Sequence, residues 1–235
     1  MEMQHQAMGY DRTATMFSPD GHLLQVEYAE KTVRLGVSSI GMACSDGVFI
    51  IADKRINDTL IVSESATRIH EVDNHVIASA AGITSDARVL IEKAQVLAQQ
   101  HRVTYDSPIE PESVIKELSN MKQQFTQYGG ARPFGVSMML AGINGTTPEI
   151  FTSDVTGNYF QFHTNAIGEG DERIRDLLRE RYKNDLTIKQ GVKLALDIFK
   201  EVKDGKFNIE KFELSYIKSE NPTIIRAEGK NIEKI

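Results

Sequence analysis

The sequence predicts a single-domain α+β sandwich in which antiparallel sheets are covered by pairs of helices. Three observations predict it. Short apolar runs come in pairs joined by turn residues, as at 37–44 and 48–52 around Ser45-Asp46-Gly47; longer amphipathic stretches also come in pairs; and the two kinds of pair alternate along the chain. Strands joined by tight turns form antiparallel sheets, whereas strands alternating singly with helices form parallel ones. Helix pairs inserted between hairpins must then cover the sheet faces.

In chain order, Ser18-Pro19-Asp20-Gly21 is a turn cluster, followed by a helix over 20–35 with Leu24, Tyr28 and Thr32 on one stripe and Gly36 placed to stop it. Asp46-Gly47 supplies the positive φ angles of a tight hairpin between strands 37–44 and 48–52. After a polar loop, residues 76–81 form a small-residue strand ending at Gly82, and Ala87, Leu90, Ala94 and Leu97 mark the next helix. Pro111 and Glu112 open another, whose Val114, Leu118, Met121, Phe125 and Tyr128 recur at spacings of three and four. Strands follow over 134–143, 149–153 and 158–163, with turns at Asn144-Gly145 and at 154–157. Two helices come next, over 171–182 and 187–202, the second opened by Thr187 and Gln190 at capping-box spacing. Strands 212–218 and 223–227, separated by Asn221-Pro222, complete the order.

Composition narrows the function. A chain of 235 residues, 40% hydrophobic, suffices for one sizeable core. A net charge of -6 without any long run of like charge argues against nucleic acid as a partner. The longest apolar runs, such as 48–52 and 136–141, fall short of the roughly 18 residues a membrane span needs, and residues 1–8 lack the basic-then-apolar order of a signal peptide. The lone Cys44 cannot form an internal disulfide, which fits a reducing compartment. The histidines, His5, His22, His70, His75, His101 and His163, show no metal-ligand spacing, so neither a metal nor a cofactor is expected. Gly168-Glu169-Gly170 has Arg173 where a dinucleotide-binding loop needs its third glycine, and reads instead as a close strand–helix approach. No Gly-x-Ser-x-Gly elbow occurs.

Several local strings are more specific than composition. Tyr10-Asp11-Arg12, Phe17-Ser18-Pro19-Asp20-Gly21 and Gln25-Val26-Glu27-Tyr28-Ala29 together resemble the N-terminal signature of α-type proteasome subunits, and the chain as a whole is archaeal-like. Residues 127–137, Gln-Tyr-Gly-Gly-Ala-Arg-Pro-Phe-Gly-Val-Ser, resemble a second signature of that family, and Ala166-Ile167-Gly168 and 154–157 resemble weaker ones. The resemblance spans essentially the whole chain. It implies a four-layer αββα sandwich of the N-terminal-nucleophile hydrolase type over 36–235, preceded by a flexible gate segment over 1–11 and an N-terminal helix over 20–35. It also implies heptameric rings of this chain stacked on rings of β subunits.

Catalytic β-type subunits share that fold, so fold alone does not decide activity. Their nucleophile is an N-terminal threonine whose own amine is the base. The matching position here is Val37, which carries no nucleophilic atom, and the helix over 20–35 stands where a removable prosegment would be. The family's catalytic aspartate matches Asp53 and its lysine matches Arg68 or its neighbour; arginine is never deprotonated in this role. Ser38 and Ser39 are internal and have no free amine, so Asp53 is expected to be structural, paired with Lys54 or Arg55. The resemblance therefore implies a non-catalytic member of the α type; an active threonine protease of the β type is the alternative.

By the same resemblance, Tyr10, Asp11, Arg12, Pro19 and Tyr28 form the gate, with the polar residues 1–9 lying over an axial pore. Arg68 and Gly82 belong to a pocket for the C-terminal tails of a hexameric ATPase regulator or another activator. Arg68 stands where lysine is usual, and Glu30-Lys31 reverses the usual charge order. Tyr128, Gly129, Gly130 and Ala131 line an annulus for unfolded protein substrates in transit. The helices over 20–35 and from about Thr84 are expected to contact ring neighbours and β subunits. The implied setting is cytoplasmic, with no nucleic acid and no membrane as partner.

Overall fold

The computed structural model describes residues 9–55, 58 and 60–235. It opens with a 3-10 turn at Tyr10–Arg12 beside helix α1, Leu24–Leu35. The helix begins at Leu24 and not at 20, because Ser18 to Gly21 closes a turn first. Gly21 N–H donates to Ser18 O at 2.9 Å with Gly21 at φ +82°, and Ser18 N–H donates to His22 O at 2.8 Å. Its buried face is Leu24, Val26 and Ala29, the last two packed on Val155, while Tyr28 and Thr32 are only half-buried. Gly36 ends the helix as expected, its N–H donating to Val33 O at 2.9 Å.

Strands β1, Ser39–Cys44, and β2, Gly47–Asp53, form the expected hairpin with Cys44 opposite Gly47. The turn chemistry meets expectation at Gly47, which has φ +155°, and departs from it at Asp46. Among the described residues the non-glycine positions with positive φ are Arg55, Asp106 and Asp204, so neither Ser45 nor Asp46 adopts a left-handed conformation. Asp46 instead accepts the Ile188 N–H at 2.7 Å, and Gly47 allows a close approach, since a Cβ there would lie 2.1 Å from Ile217 O. The positive φ of Gly47 and the close approach of its neighbours specify the turn together.

The chain continues through β3, Ile69–Asp73, which apolar patterning does not separate from the polar loop around it, and β4, Val76–Gly82. Helices α2, Thr84–Tyr105, and α3, Pro111–Phe125, follow; Tyr128 lies past the end of α3 and is exposed, so it does not extend the buried stripe. Then come β5, Val136–Asn144, β6, Thr147–Ser153, β7, Tyr159–Phe162, and the unforeseen β8, Thr164–Ile167. Helices α4, Asp171–Arg181, and α5, Ile188–Lys203, precede β9, Phe212–Lys218, and β10, Ile224–Glu228.

These strands make two five-stranded antiparallel sheets, ordered β10-β9-β2-β1-β8 and β3-β4-β5-β6-β7. Strand periodicity then builds three apolar layers. On β2, Val48, Ile50 and Ala52 face the other sheet, where they join Ile77 of β4 and Met139 and Ala141 of β5. Phe49 and Ile51, on the opposite face of β2, join Ile174 and Leu177 of α4 and Val192 and Phe199 of α5. On the far side, Met138 and Leu140 of β5 join Leu90 and Ala94 of α2 and Val114 and Leu118 of α3. The order helix, sheet, sheet, helix is the four-layer sandwich the resemblance implies, and residues 48–52 of β2 and 138–141 of β5 are continuous apolar runs because both faces of each strand are covered.

Cys44 lies against the α5 layer, where burial first and Asp46 second push its thiol up to about 12. Among the described residues no helix is long and apolar enough to cross a membrane.

Candidate functional site

The start of β1 is the corner where the fold would place a nucleophile. Gly36 joins α1 directly to Val37, which is buried, and Gly36 O accepts the Glu169 N–H at 3.0 Å. Gly168 is left-handed at φ +93°, and a Cβ there would lie 2.1 Å from Val37 O; the glycine-containing segment after β8 thus serves close approach, as its sequence suggests. The nitrogen of Val37 is a peptide nitrogen and its side chain is inert, so this position offers neither nucleophile nor base. Ser38 Oγ donates to the Glu169 carbonyl at 2.6 Å, and Ser39 Oγ shares a 2.9 Å hydrogen bond with Ser79 Oγ across the two sheets. Both hydroxyls are engaged with groups that cannot take up a proton.

Asp53, at the end of β2, faces the same corner. Its partner is Lys203 from the end of α5, at 2.6 Å, while Arg55 reaches it only through its backbone N–H, at 2.9 Å. The expected pairing with the Lys54 or Arg55 side chain does not form. Lys54 turns to Glu228 at 3.2 Å, and the Arg55 guanidinium pairs with Glu169. Nothing local in the sequence links residues 53 and 203; only the return of α5 across the sheet does. Where a catalytic lysine would stand, the chain has Arg68 and Ile69, whose N–H groups both donate to Glu213, the second at 2.7 Å. Burial raises that carboxyl above its ordinary range against the pull of the two amides.

Arg68 and Gly82, proposed from sequence as one pocket, do line one groove. It measures ≈ 720 Å³ and runs between the end of α1, the 61–68 segment and the first turns of α2, with Leu35, Val37 and Ile91 among its apolar walls. Arg68 Nε reaches toward Lys54 O at 3.5 Å. His70 is held below its usual range by burial, then by Arg226 and Arg68. Gly82 is left-handed at φ +124°, and a Cβ there would lie 2.0 Å from Gly135 O. That position admits glycine alone because strand β5 begins against it.

The remaining sequence-proposed residues fall in two other places. Tyr10, Pro19 and Tyr28 lie in the segment that leads into and along α1, with Lys31 over the Tyr28 ring at 5.4 Å; residues 1–8 lie outside the described residues. Tyr128, Gly129, Gly130 and Ala131 form an exposed turn past α3, closed by the Ala131 N–H to Tyr128 O at 3.4 Å. Arg132, beside that turn, donates to both carboxylate oxygens of Asp86 at 2.6 and 2.8 Å. Behind α3, the fully buried Lys122 donates to Ser153 Oγ at 2.8 Å, and desolvation pulls it down to about 7 although Asp154 opposes this. Sequence reasoning missed Lys203, Glu213, Asp86 and Lys122, each of which acquires its role from a partner far along the chain. No cluster of metal-ligating side chains occurs among the described residues.

Comparison with known proteins agrees with this architecture. The proteasome subunit family matches residues 33–217, and the N-terminal signature of A-type proteasome subunits matches residues 10–31. The proteasome alpha subunit of Archaeoglobus fulgidus is 39% identical over 92% of this chain and 87% of its own length. That of Methanothermobacter thermautotrophicus is 39% identical over 91% and 86%, and that of Thermococcus sibiricus 42% identical over 80% and 72%. A matched sandwich, a matched α-type signature and relatives aligned over most of their length place the chain in one family: it belongs to the proteasome subunits.

Proposed function

We propose that the chain is a non-catalytic α-type subunit that closes with copies of itself into a seven-membered ring, stacks on rings of β subunits, and controls the passage of unfolded protein into their chamber. The observation that carries this reading is the corner at β1: α1 runs straight into a buried Val37 where an active subunit needs a free-amine threonine. Asp53 there is part of an ion pair with Lys203, a structural role.

In this reading the gate is formed by Tyr10, Asp11, Arg12, Pro19 and Tyr28 together with the polar residues before them. Arg68 and Gly82 receive the C-terminal tail of a hexameric ATPase or other activator, the guanidinium holding the tail carboxylate through paired hydrogen bonds. The 128–131 turn lines the annulus. The protein works in the cytoplasm, in ATP-dependent degradation, and needs no cofactor of its own.

Negative-stain imaging and peptidase assays of the purified chain test the reading together. Seven-fold rings without peptide cleavage are expected. Cleavage by the chain alone, with a covalent adduct from a threonine-directed inhibitor, would instead make it an active β-type subunit. In a particle reconstituted with β subunits, removal of residues 2–9 is expected to raise small-peptide hydrolysis, and Arg68→Ala to abolish stimulation by a tail-inserting activator.

A further inference from the structure

The 126–135 segment is free at its tip and riveted at its base. Among the described residues, the glycines' own chain neighbours aside, nothing lies within 4 Å of a Cβ built on Gly129 or Gly130, and Tyr128 is exposed. At the base, Asp86 in the first turn of α2 takes both Arg132 bonds and also the Gly135 N–H at 3.0 Å. Gly135 O in turn accepts the Ile83 N–H at 3.0 Å and lies 3.2 Å from Thr32 Oγ of α1. The same junction carries groove residues: Gly82, Thr84 and Ala87 belong to the wall, and a Cβ on Gly36 would lie 2.2 Å from Gly82 N. Three backbone segments therefore meet without room to slide: the end of α1, the β4–α2 junction and the base of the loop.

We propose that Asp86 and Arg132 are the positioning pair that fixes the 128–131 tip relative to the groove wall, making the wall and the tip one rigid piece. The bidentate fork sets both distance and angle, which a single hydrogen bond would not. The idea that this tip meets substrate rests on the proposed annulus; the clamp itself does not.

Arg132 carries the test, because its side chain is 57% exposed and can be removed without opening the core, whereas Asp86 is buried and also holds Gly135. In Arg132→Ala, amide hydrogen exchange over 128–135 is expected to accelerate on the order of tenfold, the loss of a charge-assisted contact, and by more than exchange in the two sheets, although the stranded Asp86 carboxylate also lowers the global unfolding temperature. Arg132→Lys is expected to recover part of the protection, since lysine keeps the charge but not the paired hydrogen bonds. Unchanged exchange over 128–135 in Arg132→Ala, or exchange in Arg132→Lys as fast as in Arg132→Ala, would overturn the proposal. In particles reconstituted with β subunits, the same variant is expected to change the ratio of unfolded-protein to short-peptide hydrolysis several-fold. Altered exchange with an unaltered ratio would leave the clamp standing and remove the annulus reading.

Discussion

Lys122 of α3 carries a fully buried amine to the end of β6, where Ser153 O and Oγ accept its hydrogen bonds and Asp154 is the opposing charge. Its pKa falls from 10.5 to about 7 on folding, so between those values the unfolded chain holds a proton that the folded chain lacks. Stability therefore rises with pH across that window, by about 2 kcal/mol between pH 7 and 9. Chemical denaturation at several pH values is expected to show this rise, and Lys122→Met to flatten it. Asp53 makes a different case, a buried side chain held in an ion pair. With Lys203 mostly buried beside it, Asp53→Ala is expected to lower stability by about 3 kcal/mol by stranding the ammonium. An assembled particle would lose stability and keep its peptidase rate if the residue is only structural.

At the scale of elements, legibility followed the locality of the determinants. The start of α5 could be read from Thr187 and Gln190, and both halves of the capping box form: Gln190 N–H donates to Thr187 Oγ at 3.4 Å and Thr187 N–H to Gln190 Oε1 at 3.0 Å. Thr187→Ala is accordingly expected to cost about 1 kcal/mol, measurable by thermal unfolding. Strand β3 was hidden because Ile69-His70-Glu71-Val72-Asp73 mixes charge into a short run and shifts register between Glu71 and Asp73. Strand β8 was hidden because its polar residues are satisfied only in three dimensions. Thr164 Oγ donates to Gly41 O at 2.8 Å, and Asn165 Nδ2 to Thr152 Oγ at 2.9 Å. The α1 boundary slipped for a related reason: Asp20 and Gly21 look like helix-start punctuation, yet the backbone spends them on the Ser18–His22 turn. Of the site, the valine at the corner and the pair Arg68 and Gly82 were named only through the family resemblance, and the fold brings that pair to one groove. The partners Lys203 and Glu213 were not named, since 150 and 145 residues separate them from Asp53 and Arg68.

For the molecule as a whole, α2 carries Val89, Val96 and Val103 at heptad spacing, 40, 47 and 88% exposed, although its other face is buried. An exposed apolar stripe of this kind suits a second helix. On the proposed assembly, Val96→Glu is expected to weaken association with rings of β subunits while the isolated chain keeps its melting temperature, a difference native mass spectrometry and calorimetry resolve together. The single cysteine bears on how the 128–131 turn and the groove can be labelled. Cys44 is sealed beneath α5 with a thiol that stays protonated near neutrality, so maleimide dyes find no handle on the natural chain. A cysteine introduced at the 128–131 turn or beside the groove would be the one position labelled, which makes the protein ready for distance measurements by fluorescence or spin probes without first stripping its sulfur chemistry.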